Sequence, residues 1–516
     1  MQRFAFKMKQ KPGYEQEYKR QHDEICPELE AEPRNASVSE YSNYPDRRTF
    51  LSATLCALGA FSFASFQSSC QQVKQRPNIL FIMTDQQSAT MMSCTGNPWL
   101  HTPAMDRLSS EGMRFEQAFA VNPVCVPSRF SMQTGLYPTA AGIRHNGSKV
   151  NTDRLNEIKP FGMGHLFRHA GYRTVYGGKV HLPESNGSPV SWGYDYLIEN
   201  ERDELATKCA DFLERQAEQK SPFFLFVSFI NPHDICYHAL RDYEPHGRRA
   251  RTTPKPLDKA LERPGDVSES EFFKDYCPPL PDNHQPTSNE TSGIKQLIQL
   301  RPFRRWIREN WEEKKWRMHR WAYHRLTERV DSQIDIVLKA LDRSGLAKNT
   351  LVVFTSDHGD MDAAHKLEHK TVFYDESIRI PLVIRYPGVI EPGTINKNYL
   401  VCNGLDLLPT LCDAAGIEFP PGRPGFSLLP LLKQKSPRQW RKILILENQL
   451  GFMITDGQFK YWLDEKGENR EMLIDLMNDP GEMTNLAGQP EFADVQKKLH
   501  TRLLNDLHVR GIDIHP

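Results

Sequence analysis

The sequence predicts an α/β fold: a large, mostly parallel sheet sandwiched by helices, followed by a smaller C-terminal α+β subdomain. Three observations carry this expectation. From residue 77 onward, short apolar β-rich runs alternate with amphipathic helical stretches, the pattern of strands joined by crossover helices. Residues with chemistry to offer stand just after these runs: Asp85 after the first, His233 after another, Asp357 after a third. That is where open α/β sheets bind ligands. Beyond about residue 436 the pattern changes to strands that read as antiparallel, closed by a helix.

The elements follow in order. Residues 1–70 read as a disordered extension plus an address. Residues 1–45 are polar, without sustained period, and are either disordered or the product of a start site placed too early. Then comes Arg47-Arg48-Thr49-Phe50-Leu51, a short apolar stretch over 50–66, and Gln67-Ser68-Ser69-Cys70. A basic pair, a short apolar core and small residues before a cleavage point describe an export signal. The arginine pair resembles a twin-arginine signal, and Cys70 resembles a bacterial lipoprotein lipidation site. A buried core helix is the competing reading. The expectation is export to the periplasm or cell surface, with the protein either free or lipid-anchored at Cys70.

Residues 71–436 are expected to form the catalytic domain. Buried strands are predicted over 78–84 (NILFIMT), 172–176, 223–230 (FFLFVSFI), 350–356 (TLVVFTS) and 381–386 (PLVIRY), and helices over 201–219 and 323–343. Residues 238–300 break the rhythm, and 301–321 place Arg and Trp in alternation (RPFRRWIRENWEEKKWRMHRW). Such an insertion is either a helix whose Trp seam packs on the core, or an Arg/Trp surface that meets an anionic sugar. Residues 437–516 are expected to form a subdomain with a small antiparallel sheet (strands within 443–446 and 451–463) and a helix over 492–507.

Composition sets limits. In 516 residues, 65 Lys+Arg balance 65 Asp+Glu, which argues against a generic binder of nucleic acid. A hydrophobic content of 39% suffices for a sizeable core, and no apolar run is long and pure enough to be a confident membrane span. The ten cysteines contain no CxxC pair, so a disulfide scaffold or structural zinc module is not expected.

The most informative stretch is Cys125-Val126-Pro127-Ser128-Arg129, with Thr134-Gly135 beyond it. Pro127 fits the first turn of a helix, where a missing N–H costs nothing. Cys125 would then sit at a helix N-terminus, among free N–H groups that favour an anion, with Arg129 about one turn on. From the residues alone this is a nucleophile in an anion pocket, or a buried Cys before a helix. The segment resembles the signature of the type I, formylglycine-dependent sulfatases of the alkaline phosphatase superfamily, and the resemblance spans roughly residues 77–487. It implies an alkaline phosphatase-like fold and oxidation of Cys125 to formylglycine by an accessory maturation enzyme. The hydrated aldehyde then serves as nucleophile and can expel sulfate by collapsing to the carbonyl.

Asp85-Gln86 and Asp357-His358 together offer three oxygen donors and an imidazole for one divalent cation. By the resemblance, Asp85, Gln86, Asp357 and His358 are the metal ligands. The commonest pattern in the family has a second Asp for Gln86 and an Asn for His358; the pairs found here resemble the choline sulfatase and phosphonate monoester hydrolase branches. Oxygen donors favour Ca²⁺, whereas the imidazole suits Mn²⁺ or Zn²⁺.

The resemblance also assigns a cationic and acid/base shell. Lys179, in Gly178-Lys179-Val180-His181, contacts the nucleophile and sulfate, and His181 is the base that removes the second hydroxyl proton. His233, in Asn231-Pro232-His233-Asp234, binds sulfate and helps protonate the leaving alcohol. Lys370 binds sulfate and the leaving oxygen, and Asn146 falls where choline sulfatase-like members place a sulfate ligand. His101, His165, His169, His365 and His369 match no motif and are structural or substrate-side candidates. The stretch 476–487 (LMNDPGEMTNLA) resembles a family C-terminal motif with no derivable catalytic role. The function expected is hydrolysis of sulfate esters, with sulfated carbohydrate as the expected substrate. Alternatives are a phosphonate monoester or phosphodiester hydrolase, and a non-catalytic binder of sulfated glycan.

Overall fold

The computed structural model describes residues 76–243 and 254–514. The extension and export signal expected over 1–70 lie outside the described residues. Ten strands come first: β1 (Asn78–Asp85), β2 (Met113–Phe115), β3 (Ala118–Phe119), β4 (Arg173–Gly178), β5 (Asp195–Ile198), β6 (Phe223–Pro232), β7 (Thr350–Ser356), β8 (Leu382–Arg385), β9 (Thr394–Asn396) and β10 (Val401–Cys402). Eight of them form one sheet in the order β5-β4-β6-β1-β7-β8-β2-β9, and β3 pairs with β10 alone. From β5 to β7 every neighbouring pair is parallel. The run predicted over 381–386 is a strand, β8, and it runs antiparallel to both β7 and β2.

The central strands are apolar throughout because both faces are covered. Ile79, Phe81 and Met83 of β1 join Phe224, Phe226, Leu351 and Val353 on one face, against Phe130 and Met132 of the helix Cys125–Thr134 and Leu407, Leu408 and Leu411 of the helix Asn403–Ala415. Leu80, Ile82, Leu225, Val227, Val352 and Phe354 point the other way, onto the helices Leu205–Gln216 and Glu313–Arg343. Each such side chain contributes about 1.5–3 kcal/mol by leaving water. Phe226 stacks between Phe81 and Tyr176, at ring separations of 4.4 and 4.7 Å. Truncating it to alanine would open a cavity at the centre of the sheet.

The helix expected over 323–343 starts earlier, at Glu313, and absorbs the end of the Arg/Trp run. Of the two readings of that run, core packing holds for most of it. Trp311, Trp316 and Trp321 are buried. Arg317 donates to the carbonyls of Phe273, Cys277 and Pro278, and Arg320 to that of Pro279, so these guanidiniums cap loop backbone rather than face solvent. Arg301, Phe303 and Trp306 are half-buried and Arg305 is exposed.

The C-terminal part forms a four-stranded antiparallel sheet: β11 (Leu444–Glu447), β12 (Gly451–Thr455), β13 (Phe459–Asp464) and β14 (Glu471–Asp475). The helix Ala493–Val509 lays Leu499, Leu503 and Leu507 onto Phe452, Ile454 and Tyr461. The described residues cluster as one compact unit. Among the described residues no helix is long and apolar enough to cross a membrane.

Candidate active site

Four adjacent parallel strands, β4, β6, β1 and β7, end at the same edge of the sheet. Lys179 follows β4, His233 follows β6, Asp85 closes β1, and Asp357 follows β7. The topology alone therefore gathers residues from four distant segments. Cys125 arrives from a fifth. It is the first residue of the helix Cys125–Thr134, preceded by extended Val124, and the helix ends at Gly135 in a left-handed conformation. Asn146 accepts the Val126 N–H at 3.0 Å, satisfying one donor of the first turn.

Arg129 ties the carboxylates together. Its guanidinium donates to Asp357 Oδ2 at 2.8 Å, Asp85 Oδ2 at 2.7 Å, the Lys179 carbonyl at 2.7 Å and Ser228 Oγ at 2.9 Å. Lys179 Nζ lies 2.8 Å from the same Asp85 oxygen. All these side chains are buried. Burial alone would raise the pKa of Asp85, but Lys179, His233 and Arg129 outweigh it and hold the carboxyl well below the usual range. Asp357 goes the other way: burial and the Asp85 charge push it up to about 6.

Asp85, Cys125, Asp357 and His358 place one donor atom each within 4.8 Å of one another. His358 Nδ1 lies 2.9 Å from the Gly359 carbonyl and donates to it, which turns Nε2 inward, 3.2 Å from Cys125 Sγ; burial would lower the His358 pKa, but Asp357 and Cys125 outweigh it and raise it. Gly359 is required there, because a Cβ would lie 1.9 Å from the Glu376 carbonyl. Two buried carboxylates, an imidazole of fixed tautomer and the neighbouring Gln86 carbonyl suit a divalent cation. Gln86 Oε1 accepts from Lys370 Nζ at 2.6 Å, and its Nε2 donates to Asp360 Oδ2 at 2.5 Å. Gln86 thus lies at the rim of the cluster and is aligned by Asp360.

Lys370 Nζ is also 3.2 Å from Cys125 Sγ. Burial and Asp85 oppose ionisation of the Cys125 thiol, but Lys370, Lys179 and His358 prevail and hold it well below the ordinary thiol range. Position 125 is therefore built for an anionic or strongly polar group. Gly178 has φ +91°, and a Cβ would meet the Ser228 carbonyl at 2.1 Å, so glycine is what lets Lys179 turn into the site. His181, at φ +43°, stays neutral: burial, Lys179 and Arg129 hold its pKa well below the usual value. His233 is buried within electrostatic reach of Asp85.

The unassigned histidines separate. His365 stacks on Tyr374 at 3.8 Å and bonds Thr287 at 2.9 Å, a structural role. His101 and His169 are exposed, and His165 meets the Ser191 carbonyl at 3.2 Å. His369 is buried beside Lys370, against Glu368 and Phe303. Sequence reasoning passed over Ser228, whose only signal is a hydroxyl inside an apolar strand run. It also passed over Asp360, visible two residues after His358, and Arg304, which nothing distinguishes among its neighbouring arginines.

Comparison with known proteins identifies the family and the fold. The family model described as Sulfatase matches residues 77–417. The model of the N-sulphoglucosamine sulphohydrolase C-terminal region matches 363–508. A third, for L-rhamnose mutarotase, matches residues 3–76, outside the described part. The chain is 30% identical to a Delta 4,5-hexuronate-2-O-sulfatase of Bacteroides thetaiotaomicron, over 86% of this chain and 91% of that protein. It superposes on a solved 2-O GAG sulfatase with a TM-score of 0.70 at 28% identity, covering 84% and 92% of the two chains. A phosphonate monoester hydrolase of Agrobacterium radiobacter shares the fold, with a TM-score of 0.65 at 21% identity over 85% and 96%.

Proposed function

The chain belongs to the sulfatase family, as a sulfuric ester hydrolase, and on that premise we propose that it removes sulfate from an anionic carbohydrate with Cys125 as the precursor of its nucleophile. The observation that carries this reading is the convergence on Cys125 Sγ of Lys370 Nζ and His358 Nε2, each at 3.2 Å, above the Asp85–Arg129–Asp357 network. A cation held by Asp85, Asp357, His358 and Gln86 would offset the charge of sulfate, and formylglycine at position 125 would supply a hydrated aldehyde as nucleophile. Calcium is favoured by the three oxygen donors, with manganese or zinc as the ions the imidazole would suit.

The chain's own residues do the rest. Arg129 keeps the two carboxylates ionised and aligned. Lys179 and Lys370 present ammonium groups where sulfate oxygens gain charge, in a site closed to bulk water. Neutral His181 accepts a proton, and His233 delivers one to the departing alcohol, which is too poor a leaving group to go unassisted. Asn146 offers its amide N–H to sulfate while its carbonyl oxygen caps the nucleophile helix. The carbohydrate assignment draws support from the relatives, named for hexuronate and glycosaminoglycan sulfates.

The first experiment is peptide mass spectrometry of residues 115–129 from protein made beside a formylglycine maturation system, paired with sulfate release from sulfated uronic-acid disaccharides. An aldehyde at position 125 together with released sulfate is the expected result. A persistent thiol despite a working maturation control would sink the catalytic reading.

Export with a lipid anchor at Cys70 is proposed on residues 46–70 alone. The L-rhamnose mutarotase match covers the same stretch. Intact mass after cell fractionation separates the two readings: cleavage and lipidation at Cys70, or a retained N-terminal segment.

A further inference from the structure

Lys370 sits in a backbone segment in which six of the ten residues from 362 to 371 adopt a conformation unusual for non-glycine residues. Asp362, Ala363, His365, Lys366, His369 and Thr371 all have positive φ, and Thr371, at +98°, is β-branched. A segment of this kind persists only where its surroundings hold it. Its early part is held by Asn283, whose carbonyl accepts the His365 N–H at 2.7 Å, and by the stack of His365 on Tyr374. At the lysine itself there are two clamps. Two guanidinium nitrogens of Arg304 donate to the Lys370 carbonyl at 3.2 and 3.1 Å, and Asn448 Nδ2 donates to the Thr371 carbonyl at 2.5 Å.

Arg304 is an expensive way to satisfy one carbonyl. It is 6% exposed, in the helix Pro302–Asn310, and its nearest carboxylate, Glu368, is 3.5 Å away. Burial, reinforced by Arg301, lowers its pKa to about 10. A water or a neutral amide would serve the carbonyl equally well. What the rigid planar fork adds is direction: two donors converging on one oxygen hold the Lys370 carbonyl in place, and with it the backbone from which Nζ reaches Gln86 and Cys125.

We infer that Arg304 is a positioning residue for Lys370, so that the Arg/Trp insertion acts on the reaction through the backbone of the lysine rather than by touching sulfate. The inference rests on the reading of Lys370 given above. It also gives the insertion a consequence for rate: movement of the helix Pro302–Asn310 would move the ammonium that faces the leaving oxygen.

The test is a double-mutant cycle in the matured full-length enzyme, with Arg304→Ala, Lys370→Ala and the pair, assayed on 4-nitrophenyl sulfate and on a sulfated disaccharide that the unaltered enzyme turns over. Arg304→Ala is expected to lower kcat on the sugar by roughly 10- to 100-fold, as for a displacement of about 1 Å. The loss should be smaller on the aryl ester, whose leaving group needs little help. In the Lys370→Ala background the same change should cost less than about 2-fold. Arg304→Lys, which keeps the charge but loses the fork, should recover only part of the activity, and thermal melting confirms that each variant is folded. Equal losses on both esters, or full additivity with Lys370→Ala, would overturn the inference. A crippled Lys370→Ala beside a fully active Arg304→Ala removes this inference alone; a fully active Lys370→Ala removes the reading of Lys370 as well.

Discussion

Among the described residues, two of the buried charge networks make an instructive pair, one at the candidate site and one away from it. At the strand ends, Asp85, Asp357, Arg129, Lys179, His358 and Lys370 surround Cys125. On β13 of the C-terminal sheet, Lys460 Nζ is bound by Asp375 at 2.5 Å, Glu482 at 2.6 Å and the Phe373 carbonyl at 3.1 Å. Glu482 also accepts the Asp375 N–H at 2.6 Å, at the start of the short helix Asp375–Ile378. In the second network the lysine has three acceptors for its three protons, and it is closed. In the first, Arg129 and Lys179 pair the carboxylates, yet Asp85, Cys125, Asp357 and His358 still turn one metal-ligating atom each towards a common point, within 4.8 Å of one another, a convergence that a cation would complete. Buried charge by itself therefore does not mark chemistry. A cluster whose valences need something further does.

The comparison predicts opposite mutant phenotypes. Cys125→Ala should reduce turnover by at least ~10⁴-fold. Its stability should stay within roughly 1 kcal/mol of the parent or rise, since active-site groups are not arranged for stability. Lys460→Met should do the reverse. It leaves Asp375 and Glu482 buried without their cation, a loss of about 3–5 kcal/mol, while each folded molecule keeps its turnover. Chemical unfolding and sulfate release measured on the same preparations decide the matter. An active Cys125→Ala, or a Lys460→Met that is stable but inactive, would erase the distinction.

How much of this could be read from the sequence follows the same division. The open network was legible because its residues come in short motifs: Asp85-Gln86, Gly178 to His181, Asn231 to Asp234 and Asp357-His358 stand at the ends of apolar runs that form parallel strands, whereas Cys125 to Arg129 lies on a helix. Periodicity located the strand ends; the roles of the residues came from the family resemblance. The closed network was not. Glu482 falls in the C-terminal stretch that matched a family motif without a derivable role, and the structure supplies one: it neutralises Lys460 and caps the Asp375–Ile378 helix. A charge pair between residues 22 positions apart, as Lys460 and Glu482 are, leaves no periodic trace. The same holds for Arg304 and Lys370, 66 positions apart. The reversed direction of β8 was also hidden, because a buried strand is apolar whichever way it runs.

A smaller effect sharpens the contrast through pH. Asp357, pushed up to about 6 by burial and Asp85, takes up its proton sooner when folded than when unfolded. Its contribution thus favours the fold below about pH 4 and is lost as pH rises through about 6. A dication binds only the ionised form, so the stabilisation it confers has the opposite sense: fully present above about pH 6 and fading below it. His358, whose pKa is raised because Asp357 and Cys125 outweigh its burial, must likewise lose its proton to hold the ion and acts in the same direction, while Asp85 stays ionised beside Lys179, His233 and Arg129. Melting curves with calcium or manganese, and with chelator, should show a metal-dependent rise in Tm at pH 7.5 that shrinks towards pH 5. A shift of equal size at both pH values would place the ion elsewhere.

The smallest predicted effect probes the edge between the two kinds of role, at Asn146. Its Oδ1 accepts the Val126 N–H at 3.0 Å, which is structural work of the closed kind. The proposed contact of its Nδ2 with sulfate is work of the open kind. Two substitutions separate them. Asn146→Ala removes both atoms and should lower stability by about 1 kcal/mol, as loss of a helix cap does, and also raise KM. Asn146→Asp keeps the acceptor and replaces the donor with a negative charge. It should leave the melting temperature near that of the parent, because a carboxylate caps a helix N-terminus at least as well as an amide. It should nevertheless weaken binding of a sulfated substrate more than alanine does, by like-charge repulsion. If Asp proves the milder of the two on KM, the amide is a cap alone, and the sulfate is held by Lys179, Lys370 and His233 without it.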